Sequence, residues 1–221
     1  MSVFIEIANL GVVPVIAIED AASALPLADA LLDAGLPIAE ITLRTPAAVD
    51  VIEAIARHRP EMLVGAGTVL TDQQVDAVAD AGARFALSPG IDATTLARAS
   101  ARNLPFAPGI ASASELQVAL RANCELVKFF PAMAVGGVEM LKAIADPYLH
   151  TGIGFNPTGG VSLSNMADWL SYSPVRAVGG SWIAGTKDIA EGNWSKISNN
   201  AAEAVEKAQE FRRQSKSENK S

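Results

Sequence analysis

The sequence predicts a single-domain α/β protein, a (β/α)8 TIM barrel with a short N-terminal helix. Three observations predict it. Short apolar, β-branched runs alternate with longer segments of Ala, Leu and charged residues at helical spacing. The alternation occurs eight times. The length, 221 residues, is what such a barrel fills as one unit when its loops are minimal, roughly 200–250 residues.

Taken in order, residues 1–10 read as a short helix closing the barrel's bottom. The first strand, Val12–Ile18, is apolar throughout and is followed by a helix near 21–34. Ile38–Leu43 alternates polar and apolar side chains and precedes a helix near 46–57. Leu63–Thr68, ending in Gly65-Ala66-Gly67-Thr68, leads to a helix near 71–81. Phe85–Pro89 and Leu104–Pro108 are short apolar runs with helices near 92–102 and 112–122. Leu126–Phe130 precedes 136–145, and Gly154–Thr158 precedes a helix that starts at Ser162 and runs over 162–171. Val175–Val178 completes the set with a helix near 187–213, broken near Gly192. The domain is expected over 1–211, with 212–221 a polar tail that frays. An open doubly wound sheet is the main competitor. It calls for a glycine-rich turn after its first strand, where this chain has Glu19-Asp20.

Composition narrows the function classes. Seventeen Lys and Arg stand against 24 Asp and Glu, a formal net charge of −7, with no dense basic cluster before the tail. That argues against a nucleic-acid surface, whose affinity rests on neutralising phosphates. The N-terminus carries Glu6 inside its apolar run and has no preceding basic segment, unlike a secretory signal. No stretch approaches the roughly 20 apolar residues of a membrane span. Cys124 is the single cysteine, so no intramolecular disulfide forms. A cytoplasmic protein is expected.

In such a barrel, chemistry sits where the strands end and the next loops begin. Six of the seven lysines fall in helical or tail segments, where a solvated head is expected. Lys128 is different. It lies mid-strand, and the two-residue alternation puts Leu126, Lys128 and Phe130 on the inner face. Burial disfavours an ammonium ion and so favours a nucleophilic amine. The competing explanation is a buried lysine simply paired with a carboxylate.

The neighbouring strands favour a site. Glu40, Thr42 and Arg44 share one face of the second strand, opposite Ala39, Ile41 and Leu43, and Thr68 ends the third strand after two glycines. An ion pair between Glu40 and Arg44 stapling the barrel is the plainer reading of that segment. Against it, Arg44 suits bidentate binding of a carboxylate with Thr68 as a further donor, leaving Glu40 free for proton transfer. Gly159-Gly160 precedes the helix at Ser162, and Gly179-Gly180-Ser181 follows the eighth strand. Backbone N–H groups of the loops after strands seven and eight form the usual phosphate cradle of these barrels.

Other chemistries fit less well. His58, His150 and Cys124 have no metal-ligand spacing, so no metal is expected. No Gly-x-Ser-x-Gly elbow occurs, and Gly65-Ala66-Gly67-Thr68-Val69-Leu70 lacks the third glycine of a dinucleotide fingerprint.

The motifs Glu40-Ile41-Thr42-Leu43-Arg44-Thr45, Gly65 to Leu70, Ser88-Pro89-Gly90, Lys128-Phe129-Phe130-Pro131-Ala132, Pro157-Thr158-Gly159-Gly160 and Gly179-Gly180-Ser181-Trp182 closely resemble the class I 2-keto-3-deoxy-6-phosphogluconate (KDPG) aldolases of the Entner–Doudoroff pathway. Many of these also cleave 4-hydroxy-2-oxoglutarate (KHG). The resemblance runs from Val12 to the end of the eighth unit. It implies Lys128 as the Schiff-base lysine, Glu40 as general acid and base, and Arg44 and Thr68 as binders of the pyruvate carboxylate. Pro89 and Phe130 become the walls around the pyruvate carbons. Thr158 becomes the residue that steers which aldehyde face reacts, and Gly159, Gly160 and Ser181 the phosphate site. It further implies a keto-acid phosphate substrate, a covalent adduct on Lys128 in place of a cofactor, no metal, and a homotrimer. Two places depart from the family's usual pattern and bear on substrate range. Ala111-Ser112 follows Pro108-Gly109-Ile110 where a Thr is common, and Ala17-Ile18-Glu19 stands where some members have a basic residue. The alternatives are an aldolase acting mainly on 4-hydroxy-2-oxoglutarate, a sugar-phosphate isomerase or epimerase using Glu40 as base, and a non-catalytic sugar-phosphate binder.

Overall fold

The computed structural model describes residues 2–218, with side chains to residue 213. Its elements are α1 (Val3–Leu10), β1 (Val12–Ile16), α2 (Ala24–Asp33), β2 (Ile38–Thr42), α3 (Ala48–His58), β3 (Leu63–Gly67), α4 (Asp72–Asp80), β4 (Ala86–Leu87), α5 (Ala93–Ala101), β5 (Phe106–Ala107), β6 (Gly109–Ile110), α6 (Ala113–Arg121), β7 (Leu126–Phe129), α7 (Gly137–Ala145), β8 (Gly154–Pro157), α8 (Met166–Leu170), β9 (Val178–Gly180), α9 (Thr186–Ala190) and α10 (Trp194–Glu218). Strands β5 and β6 are two halves of one stave, divided at Pro108, which has no N–H to give a ladder.

The strands are parallel and form two runs, β5-β4-β3-β2-β1-β9 and β6-β7-β8. The chain itself joins the runs through residues 106–110. Bridges Phe155↔Val175 and Thr158↔Gly179 join them at the other seam, so eight staves close into the barrel the sequence predicts.

The packing follows from the sequence pattern. Every residue of β1, β2, β3, β7 and β8 is buried, as parallel strands covered by helices require. Helix α3 turns Ala48, Val51, Ile52 and Ile55 inward, the 3-, 4- and 7-residue spacing of one helical face. Trp169 of α8 packs obliquely on Phe129 of β7 with ring centroids 6.3 Å apart. Side-chain caps start several helices. Thr71, Asp92 and Ser112 accept from the backbone N–H groups of Gln74, Thr95 and Glu115. Helix α1 buries Val3, Phe4 and Ile7 and ends at Gly11 in the left-handed conformation.

Several boundaries depart from expectation, among them α8, which is Met166–Leu170 where a helix from Ser162 was expected. The eighth strand is Val178–Gly180 instead of Val175–Val178, so Gly179 and Gly180 lie within the wall and not in a loop beyond it. Glycines carry no apolar signal, yet they are needed there. A Cβ at Gly179 would overlap the Thr158 hydroxyl, and one at Gly180 the Trp182 ring. The last helical segment is broken around Gly192 as expected, but α10 continues to Glu218, into the segment read as tail. Residues 219–221 lie outside the described residues. Among the described residues no helix is long and apolar enough to cross a membrane.

Candidate active site

The inner face of β3 has no side chains at Gly65 and Gly67, and neighbours use the space. Phe85 occupies the room beside Gly65, and Glu40, projecting from β2, occupies that beside Gly67. From the far side of the barrel, Lys128 of β7 reaches across. Its Nζ donates to Glu40 Oε1 at 2.8 Å, with the two side chains 5% and 0% exposed. Oε2 of Glu40 is buried without a hydrogen-bond partner among the described residues. The Lys128 nitrogen lies 5.6 Å from the centre of the Phe130 ring, within the range of a cation–π contact.

Above this pair opens a cavity of about 280 Å³, lined by Val15, Thr42, Arg44, Thr68, Pro89, Lys128, Phe130, Thr158, Gly159, Gly160, Val161, Gly179 and Ser181. Nine of the ten residues singled out in the sequence therefore share one cavity. The tenth, Glu40, lies behind Lys128. Exposure grades with depth. Glu40, Lys128 and Thr158 are buried, and Thr68, Pro89, Phe130 and Gly159 are half-buried. Arg44, Gly160 and Ser181 form an exposed rim. A wider hollow of about 660 Å³ at the opposite end, lined by residues such as Ser2, Leu104 and Cys124, lacks this convergence. The cavity lies instead at the strand C-termini, where barrels of this class carry their chemistry.

Backbone geometry tunes the rim. Thr68 sits at φ 58°, a left-handed conformation uncommon for a β-branched residue, and such outliers concentrate at functional sites. Gly159 and Gly160 adopt φ 98° and 78°, which glycine reaches without cost. Thr42 donates to the Ile16 carbonyl at 2.8 Å and accepts from Arg44 Nε at 3.1 Å. That bond fixes the base of the guanidinium at the cavity mouth.

The ion pair between Glu40 and Arg44, weighed and set aside from the sequence, is not made, and two other readings of the sequence need revision. Glu40 pairs with Lys128 and Arg44 with Thr42. Glu40 is not free, since one of its oxygens already accepts from the lysine. The loop glycines expected after strand eight lie within β9, where Gly179 lines the cavity. The sequence reading also missed Asn156, which is 1% exposed and is the register partner of Lys128. The two-residue alternation through Gly154, Asn156 and Thr158 was the available signal. Among the described residues no group of three or more His, Cys, Asp or Glu side chains is placed to hold a metal ion.

A sequence model of the family described as KDPG and KHG aldolase matches residues 5–200. The chain belongs to that family. The KHG/KDPG aldolase of Escherichia coli K12 is 45% identical over 197 residues, covering 89% of this chain and 92% of the relative. The 2-dehydro-3-deoxy-phosphogluconate aldolase of Pseudoalteromonas atlantica is 44% identical over 194 residues, covering 88% and 89%. Among solved structures, the Legionella pneumophila KDPG aldolase superposes with a TM-score of 0.85 at 42% identity, covering 89% of this chain and 94% of that one. It holds pyruvate as a covalent carbinolamine intermediate. The Zymomonas mobilis KDPG aldolase with 3-phosphoglycerate matches with a TM-score of 0.82 at 38% identity, covering 91% and 94%. A buried lysine on an inner strand is a feature that packing alone would not favour.

Proposed function

We propose that the protein is a metal-independent class I aldolase that cleaves 2-keto-3-deoxy-6-phosphogluconate to pyruvate and glyceraldehyde 3-phosphate, and that it also cleaves 4-hydroxy-2-oxoglutarate to pyruvate and glyoxylate. The observation that carries this reading is the 2.8 Å contact between Lys128 Nζ and Glu40 Oε1 at the floor of the only cavity, among those described, that gathers these groups. Hydrogen-bonded so closely, the pair has a direct path for a proton to pass from nitrogen to carboxylate, which unmasks the amine.

The neutral amine attacks the C2 ketone and forms a carbinolamine. Glu40 returns the proton to its hydroxyl, water leaves, and a protonated imine remains. Glu40 then takes the C4 hydroxyl proton and the C3–C4 electron pair moves into the imine. The aldehyde departs and an enamine stays on Lys128. Protonation at C3 and addition of water release pyruvate and restore the amine. Arg44 and Thr68 hold the C1 carboxylate. Gly159, Gly160 and Ser181 hold the phosphate at the opposite rim, so the scissile bond is kept over the pair. Pro89 and Phe130 flank the pyruvate carbons. A homotrimer in the cytoplasm completes the proposal.

The test is pyruvate release from each keto acid, followed with lactate dehydrogenase. Both substrates should turn over, and Ser181→Ala should lower kcat/KM for the phosphorylated one more than for the other. No pyruvate from either substrate would refute the proposal.

A further inference from the structure

One hydroxyl on the cavity wall has its direction set from behind. Thr158 lines the cavity, and its Oγ1 occupies the space left by the missing side chain of Gly179. Its proton goes to Oδ1 of Asn156 at 3.3 Å, a bond buried between neighbouring inward positions of the same stave. A threonine hydroxyl has one proton and two lone pairs. With that proton given to Asn156, Thr158 offers the cavity lone pairs only.

Asn156 is the register partner of Lys128 on the inward wall, and its Nδ2 is buried with no partner among the described residues. Across the barrel, Glu40 Oε2 is a buried acceptor equally without a donor among the described residues. Turning the amide over would present a second acceptor toward that interior and two donors to Thr158. In the orientation seen, Oδ1 accepts from Thr158 and Nδ2 is left without a partner among the described residues.

We propose that Asn156 is a positioning residue that sets the aldehyde range of this site. By holding the Thr158 proton it makes Thr158 a pure acceptor, so the cavity favours aldehydes with a hydroxyl beside the carbonyl over those with a carboxylate there. Glyceraldehyde 3-phosphate is of the first kind and glyoxylate of the second. The proposal rests on the aldolase reading and gives the direction of its substrate preference.

The experiment is condensation of pyruvate with glyceraldehyde 3-phosphate, with its 2-deoxy analogue and with glyoxylate, in the wild type, Asn156→Leu, Thr158→Val and the double variant. In the wild type, removing the 2-hydroxyl should lower kcat/KM about tenfold, the scale of one hydrogen bond. Asn156→Leu should move the ratio of kcat/KM values about tenfold toward glyoxylate. Both effects should vanish when Thr158 is Val, because Asn156 acts through it. A ratio unchanged in Asn156→Leu, or moved equally in the Thr158→Val background, overturns the proposal. Should Asn156→Leu fail to fold, Asn156→Ala is read in its place with the same two outcomes, and the deoxy analogue tests the Thr158 contact beside it. Equal losses in wild type and Thr158→Val overturn the proposal, and a loss confined to wild type supports it. Borohydride trapping of pyruvate on the wild-type protein serves as a separate control. Its failure would refute the aldolase reading itself, whereas successful trapping with an unmoved ratio refutes only the role of Asn156.

Discussion

Gly67 holds open the space that the Glu40 carboxylate occupies: a Cβ at residue 67 would stand inside the contact radius of Oε1, the atom that accepts from Lys128. The glycine is therefore part of how the barrel aims Glu40 at Lys128. Gly67→Ala should displace the carboxylate from Lys128 and lower kcat by at least tenfold, at a stability cost of about 1–3 kcal/mol for the overpacked wall. Steady-state kinetics with a thermal melt checks this. A fully active, folded Gly67→Ala protein would contradict the assigned geometry.

The same pair links stability to chemistry in a way that double substitution separates. Both side chains are removed from water, so losing the lysine leaves a buried carboxylate uncompensated. Lys128→Met should abolish turnover and destabilise the fold by about 3–5 kcal/mol. Lys128→Met with Glu40→Gln should regain much of that stability and none of the activity. Denaturant midpoints and turnover of the single and double variants measure it.

Glu40→Gln alone keeps the proposed nucleophile, Lys128, and removes the proposed proton carrier. Turnover should fall about 10²–10⁴-fold, while pyruvate is still slowly captured on Lys128. Full activity in this variant would refute the assigned role.

Away from the site, acid should weaken the fold through paired carboxylates near the surface. Hydrogen bonds from Arg98, and then Arg102, hold the Asp76 carboxyl below its usual range, tying α4 to α5. A carboxyl lowered on folding contributes stability above its unfolded value of about 3.9, and the contribution is lost as pH falls through the lower folded value. Asp76→Asn should therefore lower the urea midpoint at pH 7 by a small amount, because surface pairs contribute little. The difference from wild type should shrink steadily below about pH 4. A difference that grows with acid would have the wrong sign.

Much of the site was legible in the sequence because polar groups in apolar strands are conspicuous. Lys128 stands among Leu126, Val127, Phe129 and Phe130, and Glu40 and Arg44 share the parity of one strand. Pairing was not legible. Glu40 has Arg44 four residues away in sequence, but its partner comes from the opposite wall, 88 residues distant, and only barrel closure brings them together. Asn156 lies in a strand the sequence does predict, Gly154–Thr158, but its inward parity with Thr158 was not followed through to the site. The eighth strand was misplaced for a different reason. Its two glycines resemble a loop, although the bulk of Thr158 and Trp182 is what requires them.

The central claim is that Lys128 is the nucleophile, and one measurement reaches it directly. Incubated with pyruvate and sodium borohydride, then digested and analysed by mass spectrometry, the protein should carry a single reduced pyruvyl adduct on Lys128, absent from Lys128→Ala. An unmodified Lys128, or an adduct on another lysine with activity lost in parallel, would contradict the account.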